Sequence, residues 1–154
     1  MTVTFCGHSQ IAHEDEVKEW LFRVVEALIE HGADTFYLGG YGAFDSLASS
    51  VVRSLKAQHP QIQSVLVLPY LDHWADTSLY DDTTYPPLEH VPRKFAITHR
   101  NRWMVDHSDV IVAYVRHSWG GAAQTLDRAC RKGLAVIKWE DTEKPQAHHC
   151  LKEG

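Results

Sequence analysis

The chain runs Leu38-Gly39-Gly40-Tyr41-Gly42-Ala43 between a short apolar stretch, Thr35 to Leu38, and an amphipathic stretch that begins near Phe44. A strand, a glycine-rich turn and a helix form the repeating unit of an α/β fold. In a parallel sheet such turns emerge at the carboxyl edge, where the N-terminus of the next helix offers free backbone N–H groups to an anion. This stretch therefore predicts the fold class and the edge at which a ligand binds.

A second glycine-rich turn has the same setting. Trp119-Gly120-Gly121-Ala122-Ala123-Gln124-Thr125 follows the apolar run Val110 to Val115 and precedes a helix-like run. Two such turns at one edge predict a crevice that binds a phosphate-bearing ligand, either a nucleotide or a derivative of one. The alternative is that each turn only connects a strand to a helix.

The rest of the chain continues the alternation of strands and helices. Apolar runs predict strands at 2–6, 35–38, 62–68, 110–115 and 134–139, and apolar spacing of three to four residues predicts helices at 14–29, 44–58, 95–106 and 121–131. We expect a single Rossmann-like α/β domain over residues 2–140, with a mainly parallel sheet of about five or more strands and helices on both faces. Residues 141–154 are expected to form a loosely attached tail.

Composition excludes several classes of function. A chain of 154 residues with 44% hydrophobic residues suits one domain, and its formal charge of -5 argues against a nonspecific grip on nucleic acid. No run approaches the ~20 apolar residues of a membrane span, so no membrane partner is expected. Three unevenly spaced cysteines and a start without a leader pattern indicate a reduced, cytoplasmic protein.

The segment 69–93 is about 25 residues long, whereas loops between strands and helices usually take about 2 to 6 residues. It leaves the same edge as the glycine turns and is rich in rings, which stack on bases and also anchor interfaces. We expect a lid over the crevice. The alternatives are an exposed insertion and a contact between subunits of a homo-oligomer. The rings belong to Tyr70, His73, Trp74, Tyr80 and Tyr85.

An ordered set of short motifs resembles the SLOG superfamily, and within it most closely the YpsA-like branch. The resemblance extends from Thr2 to about Ile137 and implies a Rossmann-like domain that binds nucleotides or nucleotide-derived ligands. The superfamily also contains the Lonely Guy (LOG) phosphoribohydrolases and the DprA-type proteins, and several of its branches are sensors. The motifs are Phe5-Cys6-Gly7-His8, Leu38-Gly39-Gly40-Tyr41-Gly42, Leu68-Pro69-Tyr70, the stretch from Arg100 to Asp109, and Gly120-Gly121-Ala122-Ala123-Gln124-Thr125.

The LOG hydrolases carry an arginine one turn before a methionine, and Arg100 and Met104 fit that pattern. Their glycine turn ends in a glutamate, which aligns here with Asp127, and Ala123 and Gln124 replace its third glycine and its threonine. Aspartate is one methylene shorter, and a misplacement of about 1 Å can cost on the order of a hundredfold in rate. The resemblance thus implies a sensor or sequestering protein rather than an enzyme. The alternatives are an N-glycoside hydrolase of a nucleoside monophosphate, using Arg100 with Asp127 or Asp45, and an interaction scaffold.

The two glycine turns supply most of the candidate ligand-binding residues. Asp45 would repel phosphate, so it either accepts a hydrogen bond from a ribose hydroxyl or balances the helix dipole. Trp119 either covers a ring of the ligand or packs as an ordinary side chain. The residues expected to cradle phosphate through backbone amides or hydroxyl groups are Gly39, Gly40, Gly42, Ser118, Gly120, Gly121 and Thr125.

Arginine and histidine side chains complete the predicted site. Arg100 and Arg102 carry planar forks suited to two phosphate oxygens, or they lie on an exposed helix face. His8 contacts the ligand or is a plain turn residue, and Ser9 caps a helix or donates to phosphate. The resemblance adds Gly7, Tyr41, Pro69 and Tyr70. No metal and no cofactor are expected, because the eleven histidines lack a recognised ligand spacing.

Overall fold

The computed structural model describes residues 1–72 and 76–140. The predicted fold class is confirmed: one α/β domain holds an all-parallel sheet with helices on both of its faces. The strands are β1 (Thr2–Gly7), β2 (Thr35–Leu38), β3 (Gln63–Val67), β4 (Asp82–Thr84), β5 (Val110–Tyr114) and β6 (Ala135–Lys138), and the helices are α1 (Glu14–Glu30), α2 (Ala43–Lys56), α3 (Ala96–Asp106) and α4 (Gly121–Lys132).

The six strands lie in the order β4-β3-β2-β1-β5-β6. The chain therefore starts in the middle of the sheet, builds outward to β4, and then returns to place β5 on the other side of β1. Val3 of β1 lies opposite both Phe36 of β2 and Val110 of β5. Because the connections that leave β1 and β5 run in opposite directions, a crevice opens between their carboxyl ends, where open α/β sheets bind ligands.

Two apolar cores cover the two faces of the sheet. On one face α1 and α2 pack on the central strands, with Leu21, Phe36 and Phe44 almost wholly buried. On the other face α3 and α4 bury Ile111 and Leu126. Every residue of β5 is buried, as expected for a strand covered from both sides.

The long segment 69–93 contains a strand that the sequence did not predict. β4 pairs in parallel with β3 and forms one edge of the sheet. Just before it, the carboxylate of Asp81 accepts a hydrogen bond from the Ser64 N–H (2.8 Å) and forms an ion pair with Lys56 (3.4 Å). Periodicity could not reveal a strand of three polar residues that is held mainly by partners distant in the chain.

Some of the predictions concern residues outside the described part of the chain. They include His73 and Trp74 of the expected lid and the whole expected tail, 141–154. Within the described residues, no helix combines the length and the apolar character that crossing a membrane requires.

Candidate functional site

A crevice of about 600 Å³ opens at the carboxyl edge of the sheet, between the ends of β1 and β5. Four segments line it: residues 5–10 at the end of β1 and just after it, the first glycine turn with Asp45, the inner face of α3, and residues 116, 117 and 119–122 with Thr125. His8, Ser9 and Gly7 are among the lining residues. The cavity has the size of a small-molecule site.

The first glycine turn is folded onto the protein itself. Gly42 has a φ of 91°, and a Cβ atom there would lie 2.9 Å from the Cα of Ser9. The Ala43 N–H donates to the Ser9 carbonyl (2.9 Å), and the Tyr41 N–H donates to the Asp45 carboxylate (3.2 Å). Gly39, Tyr41 and Asp45 line the crevice, whereas Gly40 packs behind the turn against Leu66. The Asp45 carboxylate thus already interacts with the amides of Gly39 and Gly40, which the sequence predicts to bind phosphate.

Arg100 forms the floor of the crevice together with Asp45. Only 3% of Arg100 is exposed, so its interpretation as an exposed helix residue is wrong. Its Nη1 donates to the carbonyls of Gly39 (2.8 Å) and Val67 (2.9 Å), and its Nε donates to Oδ1 of Asn101 (2.9 Å). The guanidinium therefore joins the carboxyl ends of β2 and β3, and only part of it remains to face a ligand.

The charges on this floor are coupled. Burial raises the pKa of the Asp45 carboxyl, while Arg100 and the amides of the glycine turn oppose that rise. Burial lowers the pKa of Arg100, and Asp45 opposes that change. The nearby Cys6 thiol has its pKa raised by burial and further by Asp45, so it remains protonated and is a poor nucleophile.

The second glycine turn is open to the crevice. Gly120 is the N-cap of α4, no side chain caps this end, and the Gln124 N–H donates to the Gly120 carbonyl (3.0 Å). Within residues 1–72 and 76–140, no acceptor is bonded to the N–H groups of Gly121, Ala122 or Ala123. These groups and the helix dipole favour an anion at this end of the crevice.

Thr125 and Ser118 were predicted to donate hydroxyl hydrogen bonds to a phosphate at this turn, but neither hydroxyl is placed to do so. The Thr125 side chain lines the crevice, but its hydroxyl donates to the Gly121 carbonyl (2.8 Å). Ser118 is exposed and does not line the cavity. Backbone amides are therefore the main donors of the second turn.

Three aromatic rings stack along the β5 side of the crevice. The His8 ring lies 4.0 Å from the His117 ring, and His117 lies 3.8 Å from Trp119, each pair nearly parallel. Trp119 is 68% exposed, and Tyr41 on the first glycine turn is 70% exposed. Both line the crevice, so each can offer a ring face to a planar group.

His8 is a neutral member of this stack. Its Nε2 accepts a hydrogen bond from the Arg116 N–H (2.9 Å), which places the ring proton on Nδ1. Burial, together with His117 and Arg116, lowers the pKa of His8 to about 4. At neutral pH His8 is therefore an uncharged side chain that holds the loop after β5 in place.

Several residues of the crevice were not predicted from the sequence. Ile97, Asn101 and Met104 share with Arg100 the face of α3 that lines the cavity. Their spacing of three to four residues was a usable signal once Arg100 was assigned to the site. His117 was missed as well, although it lies between a predicted strand and the second glycine turn.

Besides Gly40, Gly42 and Ser118, which do not line the crevice, four predicted site residues lie elsewhere. Arg102 and Asp127 line a second cavity, of about 360 Å³, between α3 and α4. Pro69 is buried at the start of the long loop, and the Arg93 guanidinium covers the ring of Tyr70 at 4.0 Å. No described residue of segment 69–93 lines the crevice, so its function as a lid stays a prediction.

Where the structure describes side chains, no group of three or more histidines, cysteines or carboxylates is arranged to hold an ion. The chemistry available in the crevice is hydrogen bonding, ring stacking and charge.

Comparison with known proteins places the fold in a class. No family model matches the chain. It is 28% identical over 149 residues to the uncharacterized SPbeta prophage-derived protein YoqJ of Bacillus subtilis (strain 168), an alignment covering 80% of this chain and 86% of that protein.

Solved structures share the architecture at low sequence identity. TM1055 superposes with a TM-score of 0.60 at 17% identity, covering 88% of this chain and 71% of that one. DNA processing protein A (DprA) of Helicobacter pylori, described as binding single-stranded DNA, gives 0.68 at 16% identity and covers 96% and 68%. The Streptococcus pneumoniae DprA gives 0.64 at 19% identity over 89% of this chain, which spans about half (49%) of that protein.

The chain shares the Rossmann-like α/β fold of these three structures, and its membership of the SLOG superfamily stays a prediction. At such identities the likeness concerns the fold alone. The expected closeness to the YpsA-like branch stays a prediction.

Proposed function

We propose that this protein binds a nucleotide or nucleotide-derived small molecule in the crevice, as a sensor or sequestering protein. The observation that carries the proposal is the uncapped N-terminus of α4, which opens into a ring-lined cavity of about 600 Å³. An anion-binding helix end beside exposed rings suits a ligand that joins a phosphate to a planar base.

In the proposed arrangement the phosphate lies at α4 rather than at the first glycine turn. Gly121 and Ala122 line the crevice and offer backbone N–H groups there. The base stacks on Trp119 or Tyr41, and the Asp45 carboxylate accepts a hydrogen bond from a ribose hydroxyl. This division follows from charge, because Asp45 would repel phosphate at the first turn.

Binding without turnover is favoured over hydrolysis by the positions of the carboxylates. Asp127, which aligns with the glutamate of LOG hydrolases, lines the other cavity. Asp45 lines the crevice, but it is held by the amide of Tyr41 and faces the buried Arg100. Neither side chain has the arrangement of a carboxylate poised to stabilise positive charge that develops on a ribose.

The first test is binding measured by calorimetry and thermal shift with adenosine monophosphate and diphosphate, adenosine diphosphate ribose and cyclic nucleotides. Ligand at a hundred times its dissociation constant stabilises the native state by about 2.7 kcal/mol. Gly121→Asp introduces a carboxylate at the proposed phosphate position and is expected to abolish binding. Gly121→Ala is the matched control, because a Cβ at Gly121 meets nothing within 4 Å and this variant should bind as the parent does.

The state of the bound ligand separates a sensor from an enzyme. Recovery of intact nucleotide after prolonged incubation supports the proposal. Release of free base would establish the hydrolase instead. Absence of binding to the whole panel would contradict a nucleotide site and favour a scaffold.

A further inference from the structure

The second cavity, between α3 and α4, is lined by three arginine side chains. Arg102 comes from α3, and Arg128 and Arg131 come from α4. Asp127 is the one carboxylate among its lining residues. In a chain with a formal charge of -5, this cavity is a local concentration of positive charge.

One of these arginines is held in place by the fold. The Nε of Arg128 donates to Oδ1 of Asp106 (2.9 Å), and its Nη2 donates to Oδ2 (2.8 Å). This two-point pair links α3 to α4 across the cavity wall. Asp106 offsets part of the charge of Arg128, so Arg102 and Arg131 carry most of the attraction for an added anion.

The arginine cavity adjoins the crevice. Asn101, Gly121 and Thr125 line both spaces, so they meet beside the N-terminus of α4. A phosphate at that helix end would lie at the junction. A ligand that continues from there would pass between α3 and α4 toward Arg102 and Arg131.

We infer that the arginine cavity is a subsite for a second phosphate of the ligand whose first phosphate lies at α4. This inference rests on the proposed function and narrows it to ligands that continue past the phosphate at α4, on the side away from the base, and carry a second phosphate there. Arginine suits the subsite because its planar fork donates to two phosphate oxygens at once. Such a phosphate occurs both in a free dinucleotide and in a short single strand of nucleic acid.

Calorimetry with two probes tests the inference on the full chain. The probes are adenosine monophosphate and the dinucleotide pApA, whose linking phosphate would lie at α4 and whose terminal 5′ phosphate would reach the arginine cavity. We expect pApA to bind at least tenfold more tightly. Arg102→Ala and Arg131→Ala should each remove most of that gain while leaving the affinity for adenosine monophosphate within twofold.

Arg23→Ala is the matched control. Arg23 is exposed on α1 and forms an ion pair with Glu19 (3.3 Å), so its loss removes the same charge from another face. Melting temperatures of all variants check that they are folded. The control should retain the full tenfold preference for pApA.

The outcomes separate the two proposals. Equal affinity for the two probes in the parent protein overturns the arginine subsite and leaves the proposed function standing. Binding of pApA that depends on Arg102 and Arg131 but not on Gly121 overturns the proposed crevice site and supports the arginine cavity as an anion site. Failure of both probes to bind overturns both.

A third arm identifies the source of the second phosphate. An eight-residue deoxyadenosine strand that binds more than tenfold more tightly than pApA indicates single-stranded nucleic acid. Equal or weaker binding of the strand indicates a free dinucleotide. Either result is compatible with the subsite, whose existence is decided by the first two probes.

Discussion

Replacement of Arg100 by methionine tests whether this side chain holds the crevice together. Methionine keeps much of the apolar stem but removes every hydrogen bond of the guanidinium. The carbonyls of Gly39 and Val67 would lose their bonds to Nη1, and Asp45 would lose the positive charge that faces it. Arg100, Gly39 and Val67 are buried, and Asp45 is half-buried at the floor of the crevice.

The expected decrease in the free energy of unfolding follows from these lost interactions. A buried acceptor left without a partner costs about 1 to 3 kcal/mol, and removing one partner of a buried charge pair costs about 3 to 5 kcal/mol in all. We therefore expect Arg100→Met to lower the free energy of unfolding by about 3 to 5 kcal/mol. For a chain of this size, each kcal/mol corresponds to about 2 to 4 °C, so the melting temperature should fall by about 6 to 20 °C.

The assay is urea denaturation followed by circular dichroism, with thermal melting alongside it. The matched control is Arg102→Met, the same change two residues further along α3 at an exposed position. It should alter the free energy of unfolding by no more than about 0.5 kcal/mol. Adding Asp45→Asn to Arg100→Met should recover part of the loss, because an amide is cheaper than a carboxylate to bury without its partner.

A loss below about 1 kcal/mol for Arg100→Met, or one equal to that of Arg102→Met, would refute the argument. It would mean that the carbonyls of Gly39 and Val67 are satisfied without the guanidinium. Arg100 would then be free to serve the ligand alone, as the sequence first indicated.

Other predictions follow from the same geometry. Gly42→Ala should cost more stability than Gly133→Ala in urea denaturation: both glycines have positive φ, which costs about 1 to 2 kcal/mol, but only Gly42 also meets the Ser9 backbone at 2.9 Å. Equal costs would contradict the close approach. The pKa of His8 is lowered from 6.5 to about 4 in the fold, so the stability that a neutral His8 contributes is present above pH 6.5 and is lost as the pH falls toward 4. His8→Asn should flatten the decline of the urea midpoint between these pH values, and an unchanged slope would show that other groups cause it. Trp119→Ala should weaken binding of adenosine monophosphate by about 5- to 150-fold in calorimetry, the loss of about 1 to 3 kcal/mol of ring stacking, while Trp119→Phe retains most of the affinity. Because Trp119 is 68% exposed, the melting temperature of the Trp119→Ala variant should hardly change. Unchanged affinity of this variant for adenosine monophosphate would show that the base does not stack on Trp119.

The strands and helices of this fold could be predicted because their signals are local. Apolar runs, helical spacing and glycine turns lie within stretches of four to seventeen residues. Among residues 1–72 and 76–140, these signals predicted the four α-helices and five of the six strands. β4 was not predicted because Asp82–Thr84 is short and polar and pairs at the sheet edge with β3. Its partners are distant in sequence, so no local pattern records them.

The candidate site, like the fold, was only partly predictable from the sequence. The sequence by itself determined that both glycine turns lie at the carboxyl edge, because the parallel order of strands places every strand-to-helix turn there. Only the tertiary structure decided what each turn does. The first turn is filled by Asp45, whereas the second remains open at α4.

The positions of Arg100 and Asp127 show why the sequence alone could not determine the site. Arg100 is buried because carbonyls 61 and 33 residues earlier in the chain meet it, a contact that sequence spacing does not encode. Asp127 lines the arginine cavity because of how α4 packs on α3. Local sequence determines where a helix begins and which of its faces is apolar, but the groups that surround a polar side chain are determined by segments that meet only when the sheet is complete.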